Sequence, residues 1–111
     1  MGTLVHGYRM AGYTIDDRKL AHIKVLVSLK LDRGESFYLS WTRTSEEGSG
    51  RVSLWISVGT PLQFRFHERS RPDINRKWIA YMMANSFGPR GVIVVDEDVA
   101  EAGEPIERSL F

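Results

Sequence analysis

Residues 36–67 decide the fold: Ser36-Phe37-Tyr38-Leu39-Ser40-Trp41-Thr42 opens the stretch, Val52-Ser53-Leu54-Trp55-Ile56-Ser57-Val58 continues it, and Leu62-Gln63-Phe64-Arg65-Phe66-His67 closes it. Successive side chains of a strand point to opposite faces, so period-two alternation predicts three short strands of one sheet, buried on one side and wetter on the other. Phe37, Leu39, Trp41, Val52, Leu54, Ile56, Val58, Leu62, Phe64 and Phe66 form the expected core face. The wet face then shows hydroxyls together with Tyr38, Trp55, Arg65 and His67. The polar, Gly-rich residues 43–50 read as a hairpin loop, and Gly59-Thr60-Pro61 as a tight turn before the third strand.

Upstream, Thr3 to His6 and Tyr13 to Ile15 read as two strands, with Gly7 and Gly12 bracketing the turn between them. Residues 17–32 alternate in part like a strand, yet Leu20, Ile23, Val27 and Leu31 also share one helical face. A cap at Asp16 or Asp17, a terminator at Gly34 and the length of the segment favour a helix. Downstream, Arg71-Pro72 breaks the sheet, and Ser70 or Asp73 is placed to cap a second helix with Pro72 in its first turn. Its apolar side is Ile74, Trp78, Ile79, Met82 and Met83, and Gly88-Pro89 stops it. Val92-Ile93-Val94-Val95 suits an internal strand. The expected fold is α+β, in the order β-β-α-β-β-β-α-β, with two helices on one face of a largely antiparallel sheet. Residues 1–96 form one domain and residues 97–111 an acidic, mobile tail in which periodicity is lost, with Leu110 and Phe111 free to dock.

Composition excludes several classes. The chain has no cysteine, hence no disulfide and no thiolate metal site, which fits a reducing cytoplasm. No basic region followed by an apolar run marks a signal peptide, and no apolar stretch is long enough to span a bilayer, so no membrane partner is expected. The net charge of +1 hides an asymmetry: residues 1–90 carry 14 Lys/Arg against 8 Asp/Glu, and residues 91–111 carry 1 against 6. His6, His22 and His67 are scattered without ligand spacing, so neither metal nor cofactor is expected. No nucleophile elbow supports a Ser-His-Asp site, and Gly48-Ser49-Gly50 is too short for a phosphate loop. Trp41, Trp78, Tyr81, Met82, Met83 and Phe87 read as core and helix-packing residues.

Several segments carry a resemblance: Met1 to Gly7, Asp16 to His22, Lys30 to Phe37, Ser53 to Ile56 and Asn75 to Ile79. Over roughly residues 1–96 the chain resembles a family of small actinobacterial proteins of unknown function, commonly labelled "ATP-dependent DNA ligase". The resemblance implies that label but brings no catalytic residues. A nucleotidyl-transferring ligase uses a lysine in Lys-x-Asp-Gly; here Lys30-Leu31-Asp32-Arg33-Gly34 has one residue too many and falls at a helix end.

The run from Arg65 to Lys77 is the strongest functional signal. Arg65, His67, Arg69, Arg71, Arg76 and Lys77 outnumber Glu68 and Asp73, and Tyr38 and Trp55 share the expected wet face with Arg65. Aromatics that stack on bases beside cations that hold phosphates make a nucleic-acid platform. The competing reading packs Trp55 into the core. The first expectation is therefore a non-catalytic module that binds nucleic acid or accompanies a nucleic-acid enzyme. The second is a protein–protein adaptor or homodimer, and an enzyme ranks third. Residues 97–111, as a coil reaching roughly 20 Å, are long enough to fold back over the Arg65–Lys77 surface.

Overall fold

The three strands read from residues 36–67 are all present, but they are divided between two sheets. The computed structural model describes residues 1–43, 48, 50–86 and 91–103. Its elements are β1 (Gly2–His6), β2 (Ala11–Ile15), α1 (Asp17–Asp32), β3 (Phe37–Thr42), β4 (Arg51–Ile56), β5 (Leu62–Arg65), α2 (Arg76–Ala84), β6 (Val92–Ile93) and α3 (Glu97–Ala102). The class is α+β in the expected order, with α3 added at the end. One sheet is ordered β2-β1-β5 and the other β4-β3-β6; every pairing is antiparallel except the parallel β3–β6 pair.

The split follows from the turn after β4. The Thr60 hydroxyl accepts the Ser57 N–H at 3.0 Å, and the Thr60 N–H reaches the Ser57 carbonyl at 3.0 Å. That turn ends the strand at Ile56 and leaves Val58, expected in the core, 76% exposed. The chain then enters β5 beside β1, with Leu4 opposite Phe64 and Thr3 opposite Arg65. Phe66 lies beyond the end of β5 and is partly exposed rather than core.

In the β3–β4 pair the core face is as read, but Ser40, expected on the wet face, is buried and its hydroxyl bonds to that of Ser53 at 2.7 Å. Leu39 lies opposite Leu54, and Phe37 opposite Ile56, all buried; Leu4 fills the same core from the first sheet. Helix α1 adds Leu20, Ile23, Leu26 and Val27, and α2 adds Trp78 and Met82. Trp41, Tyr81 and Met83 pack at the rim of this core, and Phe87 lies outside the described residues.

Helix limits follow local chemistry. The Asp16 carboxylate caps α1 by accepting the Lys19 N–H. At the other end Gly34, at φ 73°, donates to Leu31 O while Glu35 N–H reaches back to Lys30 O, a Schellman closure that needs a left-handed residue. The cap of α2 is Asn75, not Ser70 or Asp73: its Oδ1 accepts the N–H groups of Lys77 and Trp78. Pro72 thus precedes the helix instead of opening it. Helix α2 ends at Ala84, with Asn85 as its C-cap; the expected stop at Gly88-Pro89 lies outside the described residues. Residues 97–102, expected to be an unstructured tail, form α3, which buries Ala100; residues 104–111 lie outside the described residues.

Candidate functional site

The segment between β5 and α2 has no regular structure, yet it is fastened to α1 at both ends. Asp17, in the first turn of α1, accepts the main-chain N–H groups of His67 at 3.1 Å and Glu68 at 2.7 Å. The Glu68 bond is the chief cause holding the Asp17 carboxyl below its ordinary range. Further on, Arg18 Nη1 donates to Asp73 O at 2.8 Å. The buried His22 then accepts the Asn75 N–H through Nε2. These fastenings hold the segment alongside α1 without covering the outer side of the helix.

Two open grooves result. The first, of about 790 Å³, runs between α1 and residues 66–74, with Ala21, Val25 and Leu29 on the helix and Phe66, Arg69 and Ile74 among those opposite. The second, of about 880 Å³, lies between α1 and α2. Val25, Leu29 and Ile74 line both grooves, so the two share one apolar floor. Leu29 and Ile74 are each 42% exposed there.

The expected site residues are distributed over separate surfaces. Tyr38 and Trp55 do come together on the outer face of β3–β4, with ring centroids 5.0 Å apart in an edge-to-face contact. They are 44% and 48% exposed, so Trp55 is not a core residue. Arg65 does not join them: it stands on the other sheet, where its Nε donates to Gln63 Oε1 at 2.8 Å. The His67 side chain is exposed, and its main chain serves the Asp17 fastening. Arg69 and Arg71 line the first groove, and Arg76 lines the second. Lys77 turns the other way, to Glu101 Oε2 at 3.4 Å and Glu101 O at 3.2 Å.

Sequence reasoning missed the polar hub at the start of α2. The Asn75 Nδ2 amide donates to both Glu97 Oε2 and Glu101 Oε1 at 2.8 Å. Arg18 clamps Glu97 through Nε at 2.9 Å and Nη2 at 2.8 Å, a bidentate pair. The Arg18 guanidinium, followed by the Asn75 amide, lowers the Glu97 carboxyl to about 2. Lys19 also pairs with Asp96. The start of the acidic segment therefore does meet the end of the basic run, at Asn75 and Lys77, and as a short helix. Asn75 was legible as a capping residue type; its carboxylate partners were not, because they lie 22 and 26 positions away.

Lys30, the lysine of the near-ligase string, is largely buried; its Nζ donates to Ser86 Oγ at 3.1 Å and lies 3.7 Å from Glu35. His6 Nε2 bonds to Trp55 O at 2.8 Å, linking the two sheets. Among the described residues no three His, Asp or Glu side chains converge as metal ligands, and no helix is long and apolar enough to cross a membrane.

A family model described as "Domain of unknown function (DUF7882)" matches residues 1–97, which leaves most of the acidic C-terminal segment outside the match. No curated protein and no solved structure matches the chain.

Proposed function

This chain belongs to the DUF7882 family, a domain of unknown function, and we propose on its geometry that it is a non-catalytic adaptor that docks a partner protein along the outer side of α1. The observation that carries this reading is the shared apolar floor of Val25, Leu29 and Ile74, open to solvent and flanked by arginines. Exposed apolar surface with a polar rim is what protein interfaces use. A role beside a nucleic-acid enzyme in the cytoplasm, as the resemblance to ligase-labelled actinobacterial proteins implies, fits such an adaptor.

The test is site-specific photocrosslinking in cells. A benzophenone side chain at position 29 should give discrete protein adducts that Ile74→Asp removes. The same probe at position 53, on the outer sheet face, should not give them. Equal adducts at both positions, or none at position 29, would sink the adaptor reading.

The Tyr38–Trp55 pair supports a second reading, single-stranded nucleic-acid binding on the outer face of β3–β4. Ser53 and Arg51 share the Trp55 side of β4 by alternation. The basic segment does not reinforce this face, which is why the reading ranks second. Titration with a deoxythymidine oligonucleotide should quench Trp55 at low salt, with affinity falling steeply as salt rises. Absence of any quench at low salt removes it.

A further inference from the structure

Resting on the adaptor reading, we propose that the occupant of the α1 groove is an acidic amphipathic helix of a partner protein. Arg18, Lys19, Lys30 and Lys77 are all paired, with Glu97, Asp96, Glu35 and Glu101 respectively. Of these, Lys30 also lines the second groove; the other five groove cations are Lys24, Arg69 and Arg71 at one end and Arg33 and Arg76 at the other. None of these five makes an ion pair among the described residues. The acids lining the grooves are Asp32, Glu68 and Glu35, and Glu35 already faces Lys30. Among the described residues the groove thus carries more cations than acids around an apolar floor, with Lys24 over the Phe66 ring and the four arginines outside any ion pair, which selects a ligand of the opposite sign.

The walls select a helix. Ala21, Val25 and Leu29 recur every four residues on α1, and the lining continues to Arg33. At 1.5 Å per residue that stretch is roughly 18 Å long, enough for about three turns of a partner helix. The α1 and α2 walls satisfy their own main-chain groups and offer no ladder to an extended peptide, and on the irregular wall the His67 and Glu68 N–H groups are taken by Asp17 and the Asp73 carbonyl by Arg18. A helix satisfies its own and presents apolar side chains at i, i+3, i+4 and i+7. Leu29 and Ile74 are placed to receive that apolar stripe, while Arg69, Arg71, Arg33 and Arg76 meet carboxylates on its flanks.

The test uses the full chain and two synthetic probe peptides of about 14 residues, a usual helix length. Both carry Leu at i, i+3, i+7 and i+10; one has Glu at the remaining charged positions, and its twin has Lys. Fluorescence anisotropy should show the acidic peptide binding at least about tenfold more tightly than the basic one, a modest demand on charge complementarity. Amide shifts should map to residues 21–33 and 66–74. Arg69→Glu with Arg71→Glu should reverse the preference, and Leu29→Asp should abolish binding of both with the circular dichroism spectrum unchanged. Equal binding of the twins in the groove overturns the acidic assignment and leaves the adaptor reading standing. No groove shifts with either twin overturns both. A deoxythymidine oligonucleotide that perturbs the same amides more strongly assigns the groove to nucleic acid and overturns the proposal. A self-association abolished by Leu29→Asp in sedimentation assigns it to a second copy, with the same consequence.

Discussion

His22 Nε2 accepts the main-chain N–H of Asn75 at 2.8 Å, while Nδ1–H donates to Arg18 O at 2.7 Å. Both ring nitrogens are therefore committed, and the Asn75 donor fixes the neutral tautomer with its proton on Nδ1. The imidazole also lies 4.4 Å from the Trp78 ring, so the contact joins α1 to the first turn of α2.

His22→Leu keeps the volume of the buried ring and removes both bonds. Leaving a buried donor without an acceptor should cost about 1–3 kcal/mol in urea unfolding. Exchange at the Asn75 amide should accelerate. His67→Leu, which leaves the main-chain bond to Asp17 in place, should stay within about 0.5 kcal/mol.

Leu54 and Trp55 are sequence neighbours on opposite faces of β4, 6% and 48% exposed. Leu54→Ala should destabilise by about 2–5 kcal/mol as a core cavity forms. Trp55→Ala loses only surface packing and its edge contact with Tyr38, and should cost less than about 1.5 kcal/mol. Thermal melts that reverse this order would invert the face assignment of the β3–β4 pair.

Glu97 is held down to about 2 by Arg18 first and Asn75 second. A carboxyl depressed on folding contributes stability that is present above its ordinary value near 4.5 and is lost as pH falls toward about 2. Acidification through that window should release α3, seen as faster exchange at the Ala100 amide. Glu97→Gln should flatten this dependence in the same window while lowering stability at neutral pH. An unchanged profile would show that the Arg18 clamp does not hold α3.

Asn75 separates capping from bridging. Asn75→Asp keeps an acceptor for the Lys77 and Trp78 N–H groups but sets a third carboxylate against Glu97 and Glu101. Asn75→Ala loses the cap and should cost about 1–2 kcal/mol. If the bridge to α3 matters, Asn75→Asp should be destabilising at neutral pH and recover on acidification, whereas Asn75→Ala should not recover.

Gly34 and Gly91 both have positive φ, at 73° and 65°, but their surroundings differ. A side chain at Gly34 meets open space, so Gly34→Ala should cost only the left-handed penalty of about 1–2 kcal/mol. A Cβ at Gly91 would collide with the Tyr38 main chain, next to the β3–β6 pairing. Gly91→Ala should therefore be the more damaging of the two by chemical denaturation, by more than about 1 kcal/mol.

Most of what the sequence by itself determined depends on neighbours within a few residues, although the α2 cap, at Asn75, was read elsewhere. Asp16 and Gly34 mark the ends of α1 because capping and the left-handed closure act over one turn. Alternation placed Leu39, Leu54 and Ile56 inside and Tyr38 and Trp55 outside, because a strand repeats every two residues whatever it pairs with. Only the tertiary structure decided which strand pairs with which. Main-chain donors and acceptors are alike in every strand, so alternation did not reveal that β5 leaves β4 to join β1. The same holds for charge. Arg65, Arg69, Arg71, Arg76 and Lys77 are close in sequence but end on different surfaces, while Arg18 finds Glu97 from 79 positions away. Coulombic attraction falls off with distance in space, and folding decides which charges become neighbours.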